Sequence, residues 1–214
     1  QKIHMIPNAS DLKLFRPLEI QSKKRPEILP VIGKNFDSDS FIAAFTGAHG
    51  MANGLEALID VAIELNKRNR KDINLVFIGD GKSKSKLETY VKNHHLNNCF
   101  FIPSISKFQL AELLRESVHV GLMVLKNLPE FYNGTSPNKF FDYIASGLPI
   151  INNYPGWISN IINENNVGIS VNPNDYNAFA DALIYLAENK ASYKNKAMNA
   201  RKLAVKDFSS KKIS

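Results

Sequence analysis

Three stretches of the 214-residue chain combine residue types that could do chemistry. The first is Gly47-Ala48-His49-Gly50, which runs toward Asn53-Gly54. Glycines at such a turn let the backbone approach a ligand closely. A helix opening behind them offers free N–H groups and a partial positive charge, the combination that suits a phosphate. The second is Gly79-Asp80-Gly81-Lys82, which reads either as the lip of the same cleft or as a plain turn with an exposed lysine. The third is Asn133-Gly134-Thr135-Ser136-Pro137-Asn138-Lys139-Phe140-Phe141-Asp142-Tyr143. Here Ser136 is placed to cap a helix and Pro137 to occupy its first turn. Lys139 in that first turn opposes the helix dipole, so its charge makes most sense beside an anion. Asp142, three residues on, could accept hydrogen bonds from vicinal hydroxyls. The competing reading is an exposed Lys139–Asp142 ion pair on the helix surface.

Other signals are weaker. The spacing around Gly47 is not GxGxxG and no GK[ST] follows, so neither a dinucleotide fingerprint nor a P-loop is present. Asp37-Ser38-Asp39 has the spacing of a metal-binding carboxylate pair but lies in a proline-rich lead-in, and no metal site is assigned. His94-His95 ends a polar helix pattern and reads as solvated. Trp157 reads as a packing residue, and Cys99 as a core residue that begins a strand. One cysteine excludes an intramolecular disulfide and a cysteine-cluster zinc site.

The elements that must hold these loops alternate regularly. Phe41–Thr46, Ile73–Ile78, Cys99–Ile102, Val118–Val124, Pro149–Ile151 and Gly168–Val171 are short apolar runs that read as buried strands. Helical spacing recurs between them: Leu55–Ile63, Ser83–Asn93, Leu110–Glu116, Phe140–Ala145 and Trp157–Asn163. It returns after the last strand in Tyr176–Glu188 and Tyr193–Asp207. The expected class is α/β, a parallel sheet of about six strands with helices on both faces. Ligands of such sheets bind outside the carboxyl ends of the strands, so the loops after each strand are the ones that matter.

Residues 1–40 hold four prolines and Lys23-Lys24-Arg25 and read as a linker or lead-in. Residues 41–208 form the domain, and 209–214 a tail. The chain begins with Gln1 and shows no apolar leader, and we read it as a piece of a longer protein. There is no run of eighteen apolar residues of the kind that crosses a membrane as a helix. The net charge of +7 points to an anionic partner.

Taken together, these segments resemble the carboxy-terminal, donor-binding half of GT-B glycosyltransferases of family 4. Ile6-Pro7-Asn8-Ala9-Ser10-Asp11 with Phe15-Arg16-Pro17 is similar to the family's entry segment "IPNGVD…F.P". Phe45-Thr46-Gly47 into Asn53-Gly54-Leu55 resembles its first strand and turn, and Phe77-Ile78-Gly79-Asp80-Gly81 its "IGDGP". Phe140–Ile151 resembles "FEYMAAGKPVI", and Gly168 with Val171 and Pro173 the "GGLLVPP" stretch. Phe208-Ser209 resembles the end, where a final helix returns to the first domain. The chain also departs from the pattern. Asp142 stands where the family has the second of two glutamates, and Gly134, eight residues earlier, has no side chain for the first. Glu130 is nearby but out of register. The arginine and lysine that usually follow the first strand are missing, with His49 and Asn53 in that region. The Ser-Pro-Asn-Lys form resembles a subgroup near N-acetylfucosamine and related amino-sugar transferases.

The resemblance implies a Rossmann-like half of a GT-B fold and a retaining transferase of surface-polysaccharide synthesis. Its donor would be a nucleotide sugar, UDP-linked, bound without metal or other cofactor. Gly47, Gly50, Gly79, Gly134, Thr135, Ser136, Pro137, Asn138 and Lys139 would surround the diphosphate, Asp142 the ribose, and Pro103-Ser104-Ile105 the uracil. Lys139 and His49 would stabilise the leaving diphosphate. The implied partners are the nucleotide sugar, an amino-terminal acceptor domain, and a lipid-linked acceptor at the cytoplasmic face of a membrane. Two rival readings are a nucleotide-sugar epimerase of the same architecture, which needs loop carboxylates such as Glu130 and Asp142, and a non-catalytic module for anions or nucleic acid. The basic residues are scattered among acidic ones and no RNA motif occurs, which disfavours nucleic acid.

Overall fold

A computed structural model describes residues 9–17, 39–132 and 137–209. Among these, six strands are β1 (Phe41–Thr46), β2 (Ile73–Ile78), β3 (Cys99–Ile102), β4 (Val120–Met123), β5 (Ile150–Asn152) and β6 (Gly168–Ser170). The helices are α1 (Glu56–Lys67), α2 (Lys84–Asn93), α3 (Lys107–Glu116), the single turn α4 (Pro129–Tyr132), α5 (Asn138–Ala145), α6 (Trp157–Glu164), α7 (Tyr176–Glu188) and α8 (Lys190–Asp207). One 3-10 turn, Met51–Asn53, precedes α1.

The sheet order is β3-β2-β1-β4-β5-β6, and every neighbouring pair is parallel. The α/β reading of the sequence is therefore the observed fold, with helices on both faces. Strand alternation sorts the core. Ala43, Phe45, Leu75, Phe77, Val120 and Leu122 pack with α1 and α7 on one face. Ile42, Ala44, Val76, Ile78 and Met123 pack with α3, α5, α6 and α8 on the other. Burial on both sides is why these strands are apolar throughout rather than alternating.

Some boundaries shift for identifiable reasons. Helix α3 starts three residues before the apolar spacing does, because Ser106 and Gln109 form a reciprocal capping box. Helix α8 starts at Lys190, because the Asn189 side chain accepts from the Ser192 N–H. The expected Ser136 lies outside the described residues, and the cap position of α5 is Pro137, whose φ of −75° and ψ of 125° hold it extended ahead of Asn138. The linker boundary at residue 40 also changes. Phe15 is fully buried in the core, and Arg201 Nη1 donates to both the Phe15 and Ala145 carbonyls. Ser10 pairs with Ser209, and its hydroxyl donates to the Phe141 carbonyl. Residues 10–17 thus belong to the packed body, clasped against α5 and α8, and Ser209 is part of the same clasp.

Strand order reverses direction between β1 and β4, where the two strands diverge toward their carboxyl ends. Their register covers only Ala43–Val120 and Ala44–Gly121. Beyond it, the Tyr143 hydroxyl takes the place of a strand: it accepts from the Thr46 N–H at 2.9 Å and donates to the Ala44 carbonyl at 3.0 Å. Its ring covers Gly121, where an added Cβ would stand 2.4 Å from two ring carbons. Replacing Tyr143 with Phe strands a buried N–H and should cost about 1–3 kcal/mol. Gly121→Ala should destabilise by a similar amount, about 1–3 kcal/mol, through overpacking. Because both act on one contact, Tyr143→Leu should relieve much of the Gly121→Ala penalty in a denaturant-measured double-mutant cycle. Strict additivity would show that the ring and the glycine are not coupled.

Candidate functional site

A cavity of about 540 Å³ opens at the carboxyl ends of β1 and β4, at the point where strand order reverses. Thr46 and Gly47 form its floor from β1, Met123 to Leu125 its second wall from β4, and Pro137, Asn138, Lys139 and Asp142 its third from α5. Asn53, Leu110 and Tyr154 complete it. Gly47 has φ of 128°, open to glycine and strained for other residues. An added Cβ there would lie 3.5 Å from the Lys139 ammonium, so glycine keeps the floor clear beneath that cation. Asn53 donates from its side chain to the Ala48 carbonyl at 2.7 Å and fastens the turn.

Lys139 is the central charge. Its ammonium reaches across the β1–β4 crevice to lie 3.7 Å from the centroid of the Phe45 ring. Among the described residues no carboxylate pairs with it, so the Lys139–Asp142 surface pair does not form. Desolvation in the cavity wall lowers the ammonium to about 7, and the aromatic face supplies the attraction that an ion pair would otherwise give. Asp142 faces the same cavity, and burial pushes its carboxyl up to about 6, with Lys107 opposing and Asp11 adding to the shift. A lysine and an aspartate, both driven toward neutrality and neither paired with an opposite charge among the described residues, could together meet a ligand carrying both an anion and hydroxyl donors.

The cavity thus brings together Gly47, Pro137, Asn138, Lys139 and Asp142 of the expected set. Gly134, Thr135 and Ser136 lie outside the described residues. Gly79 packs against the Gly47 backbone, where a Cβ would meet the Gly47 carbonyl oxygen at 2.1 Å, and it shapes the turn without lining the cavity. Gly50 does not line it either. Pro103, Ser104 and Ile105 stand further along the sheet edge, after β3. The Ser104 N–H there already donates to Asp80 at 2.6 Å. Asp80 also pairs with Lys84 at 2.7 Å, and the two contacts hold its carboxyl down at about 2. Glu130 is exposed on α4 and does not line the cavity. Asp142 is therefore the one carboxylate among the described lining residues, and the epimerase reading has a single acid there.

His49 departs most from its expected role. Its ring is fully buried among Phe45, Phe77 and Phe101, and neither nitrogen has a hydrogen-bond partner. Burial first, then Lys84, lowers its pKa, and Lys139 adds to the effect while Asp80 opposes it. It is a neutral imidazole beneath the glycine turn, not a cation facing the cavity. Sequence reasoning placed it on the loop correctly but could not see the three aromatic rings around it. Thr46 and Tyr154, which line the cavity, and Tyr143, which positions α5 beside it, were not foreseen. Only Tyr143 left a signal, since it lies four residues after Lys139 on the same helix face.

Among the described residues no three His, Cys, Asp or Glu side chains converge as metal ligands. The family model described as Glycosyl transferases group 1 matches residues 32–203, and the chain belongs to that family. No curated protein is similar enough to this sequence to match it. Several solved structures are similar in fold. One is the C-terminal domain of the glycosyl transferase group 1 family protein LpcC from Francisella tularensis, with TM-score 0.72 and 20% identity over 94% of this chain and 98% of that one. Another is HepE of Anabaena in complex with UDP and glucose, with TM-score 0.77 and 16% identity over 96% of this chain and 53% of that one. A third is WaaG, a glycosyltransferase involved in lipopolysaccharide biosynthesis, with TM-score 0.74 and 17% identity over 95% of this chain and 52% of that one. The chain spans about half the length of the last two.

The burial of His49 has a consequence for stability. Its folded pKa lies below its ordinary value of 6.5, so the unfolded chain takes up a proton first as pH falls. Stability from this residue is fully present above pH 6.5 and is lost below it, by up to about 1.4 kcal/mol per pH unit. His49→Leu should remove that slope. The measurement is the difference between the two proteins' unfolding free energies from pH 8 to pH 5. A difference that stays constant over that range would mean the imidazole titrates normally.

Proposed function

We propose that this domain holds the donor of a retaining glycosyltransferase that uses a UDP-linked sugar. The observation that carries the reading is the desolvated Lys139 ammonium, without a carboxylate partner among the described residues, above the Gly47 turn at the strand-order reversal. Family membership and the UDP complex of a fold neighbour support it. In this reading the diphosphate lies between Gly47 and the first N–H groups of α5, with Lys139 as its cation. As the glycosidic bond to the donor breaks, negative charge grows on the diphosphate. Lys139 and the fixed N–H groups meet it without a metal ion. Asp142 accepts from the ribose hydroxyls. His49 acts from beneath, as filler that supports the turn.

The acceptor surface comes from another domain, the acceptor is lipid-linked at the cytoplasmic face of a membrane, and the product is a surface polysaccharide containing an N-acetylated amino sugar. The likeness to WaaG motivates the pathway, and the Ser136-Pro137-Asn138-Lys139 form motivates the sugar class.

Calorimetric titration of UDP in excess EDTA tests the core of the reading. Binding should persist, and Asp142→Asn should weaken it by about 1–3 kcal/mol, the loss of hydrogen bonds to a charged group. Loss of binding in EDTA would require a metal, and unchanged affinity in a folded Asp142→Asn protein would remove that carboxylate from the ribose.

A further inference from the structure

A second cavity, of about 490 Å³, lies on the α1 and α7 side of the sheet edge. The segment from Met51 to Gly54 separates it from the first. The Lys126 N–H donates to the Ala52 carbonyl at 3.0 Å, and a Cβ at Gly54 would touch the Lys126 backbone at 2.9 Å, so the wall is closed and tight. Leu125 lines both cavities. Three lysines line the second one: Lys82 in the turn before α2, Lys86 on α2, and Lys126 in the loop after β4. Lys86 is neutralised by Glu56 at 3.3 Å, also in the lining. Lys82 and Lys126 have no carboxylate partner among the described residues.

Asn153 adds an oriented donor. Only 6% of its surface is exposed. Its N–H donates to the Met123 carbonyl, and its Oδ1 accepts from the Leu125 N–H at 3.1 Å. The second contact orients the carboxamide, so the Nδ2 amide points away from Leu125. It has no partner among the described residues and belongs to the cavity lining. Nδ2 is open to the cavity, where it can donate to a water or a ligand. Lys82 and Lys126 line the same cavity without a carboxylate partner among the described residues, and their charge favours an anion over water there. Ser83, which gives its side chain to no cap contact on α2, offers a hydroxyl at the same rim.

We propose that this cavity is a second anion site, distinct from the donor cleft, that takes a phosphomonoester or inorganic phosphate on Lys82, Lys126 and the Asn153 amide. Two oxygens meet the ammonium groups and a third accepts from Nδ2, while the Lys86–Glu56 pair closes the far side without adding net charge.

The test is a titration of inorganic phosphate into the 15N-labelled 214-residue chain, followed by the Asn153 side-chain amide resonances. Those resonances should shift saturably with phosphate and stay still in sodium chloride of equal ionic strength. Lys82→Gln with Lys126→Gln should weaken the effect at least about tenfold. Lys139→Met should leave it unchanged, which separates this site from the donor cleft whether or not UDP binds there. A second arm uses phosphatidic acid vesicles against phosphatidylcholine vesicles. Sedimentation with the former that the double variant loses would identify a lipid headgroup as the source. A phosphate shift without vesicle binding would identify a soluble phosphate. No saturable shift together with no charge-dependent vesicle binding would overturn the proposal, as would an equal phosphate affinity in the double variant.

Discussion

The Tyr143 hydroxyl sits where β1 and β4 part, accepting from the Thr46 N–H and donating to the Ala44 carbonyl. Parallel strands that diverge leave unpaired backbone groups, and such groups are expensive when buried. By satisfying them from a helix rather than from another strand, the fold lets β1 and β4 separate without a penalty at their ends. The same contact fixes the height and rotation of α5. Four residues before Tyr143 on that helix stands Lys139, and immediately before it Asp142. A cavity and the two groups that face it are thus set by one phenol and by the glycine, Gly121, that leaves room for its ring.

The rest of the body reinforces α5. Arg201 donates to the Ala145 carbonyl at its carboxyl end, Ser10 to the Phe141 carbonyl along its side, and Phe140 and Phe141 pack edge-on against Phe208. Residues distant in sequence therefore converge on one eight-residue helix. A short helix has little stability of its own. Its position depends on tertiary contacts, and so does the geometry of the site.

Strand positions were legible in the sequence because buried parallel strands are uninterrupted apolar runs, as in Phe41–Thr46 and Ile73–Ile78. The location of the cavity followed from the alternation of strands and helices, and Gly47, Lys139 and Asp142 from their places on loops after strands. What the sequence did not disclose depends on side-chain direction across the sheet. Lys139 was expected beside an anion, with an exposed pair to Asp142 as the rival reading, but that its side chain runs into the crevice toward Phe45 on the other face was not foreseen. His49 was expected to face the ligand and stabilise the leaving diphosphate, but Phe45, Phe77 and Phe101 enclose it. Phe15 sat in a proline-rich segment whose composition gave no hint that it plugs the core. In each case the deciding neighbour lies on another element, beyond the reach of local spacing.

Lys139, held near neutrality without a carboxylate partner among the described residues, is the group on which the site turns, because a desolvated cation is stabilised most when an anion arrives. Calorimetry of UDP binding at pH 6 to 9, in two buffers of different ionisation enthalpy, measures the proton that accompanies the anion. The account predicts that affinity falls as pH rises through about 7, as Lys139 loses its proton, and that up to one proton is taken up on binding near pH 8. Both effects should vanish in Lys139→Met, whose unliganded form should melt about 2–4 °C higher for each kcal/mol recovered. Pronounced, pH-independent UDP binding shared by both proteins would contradict it.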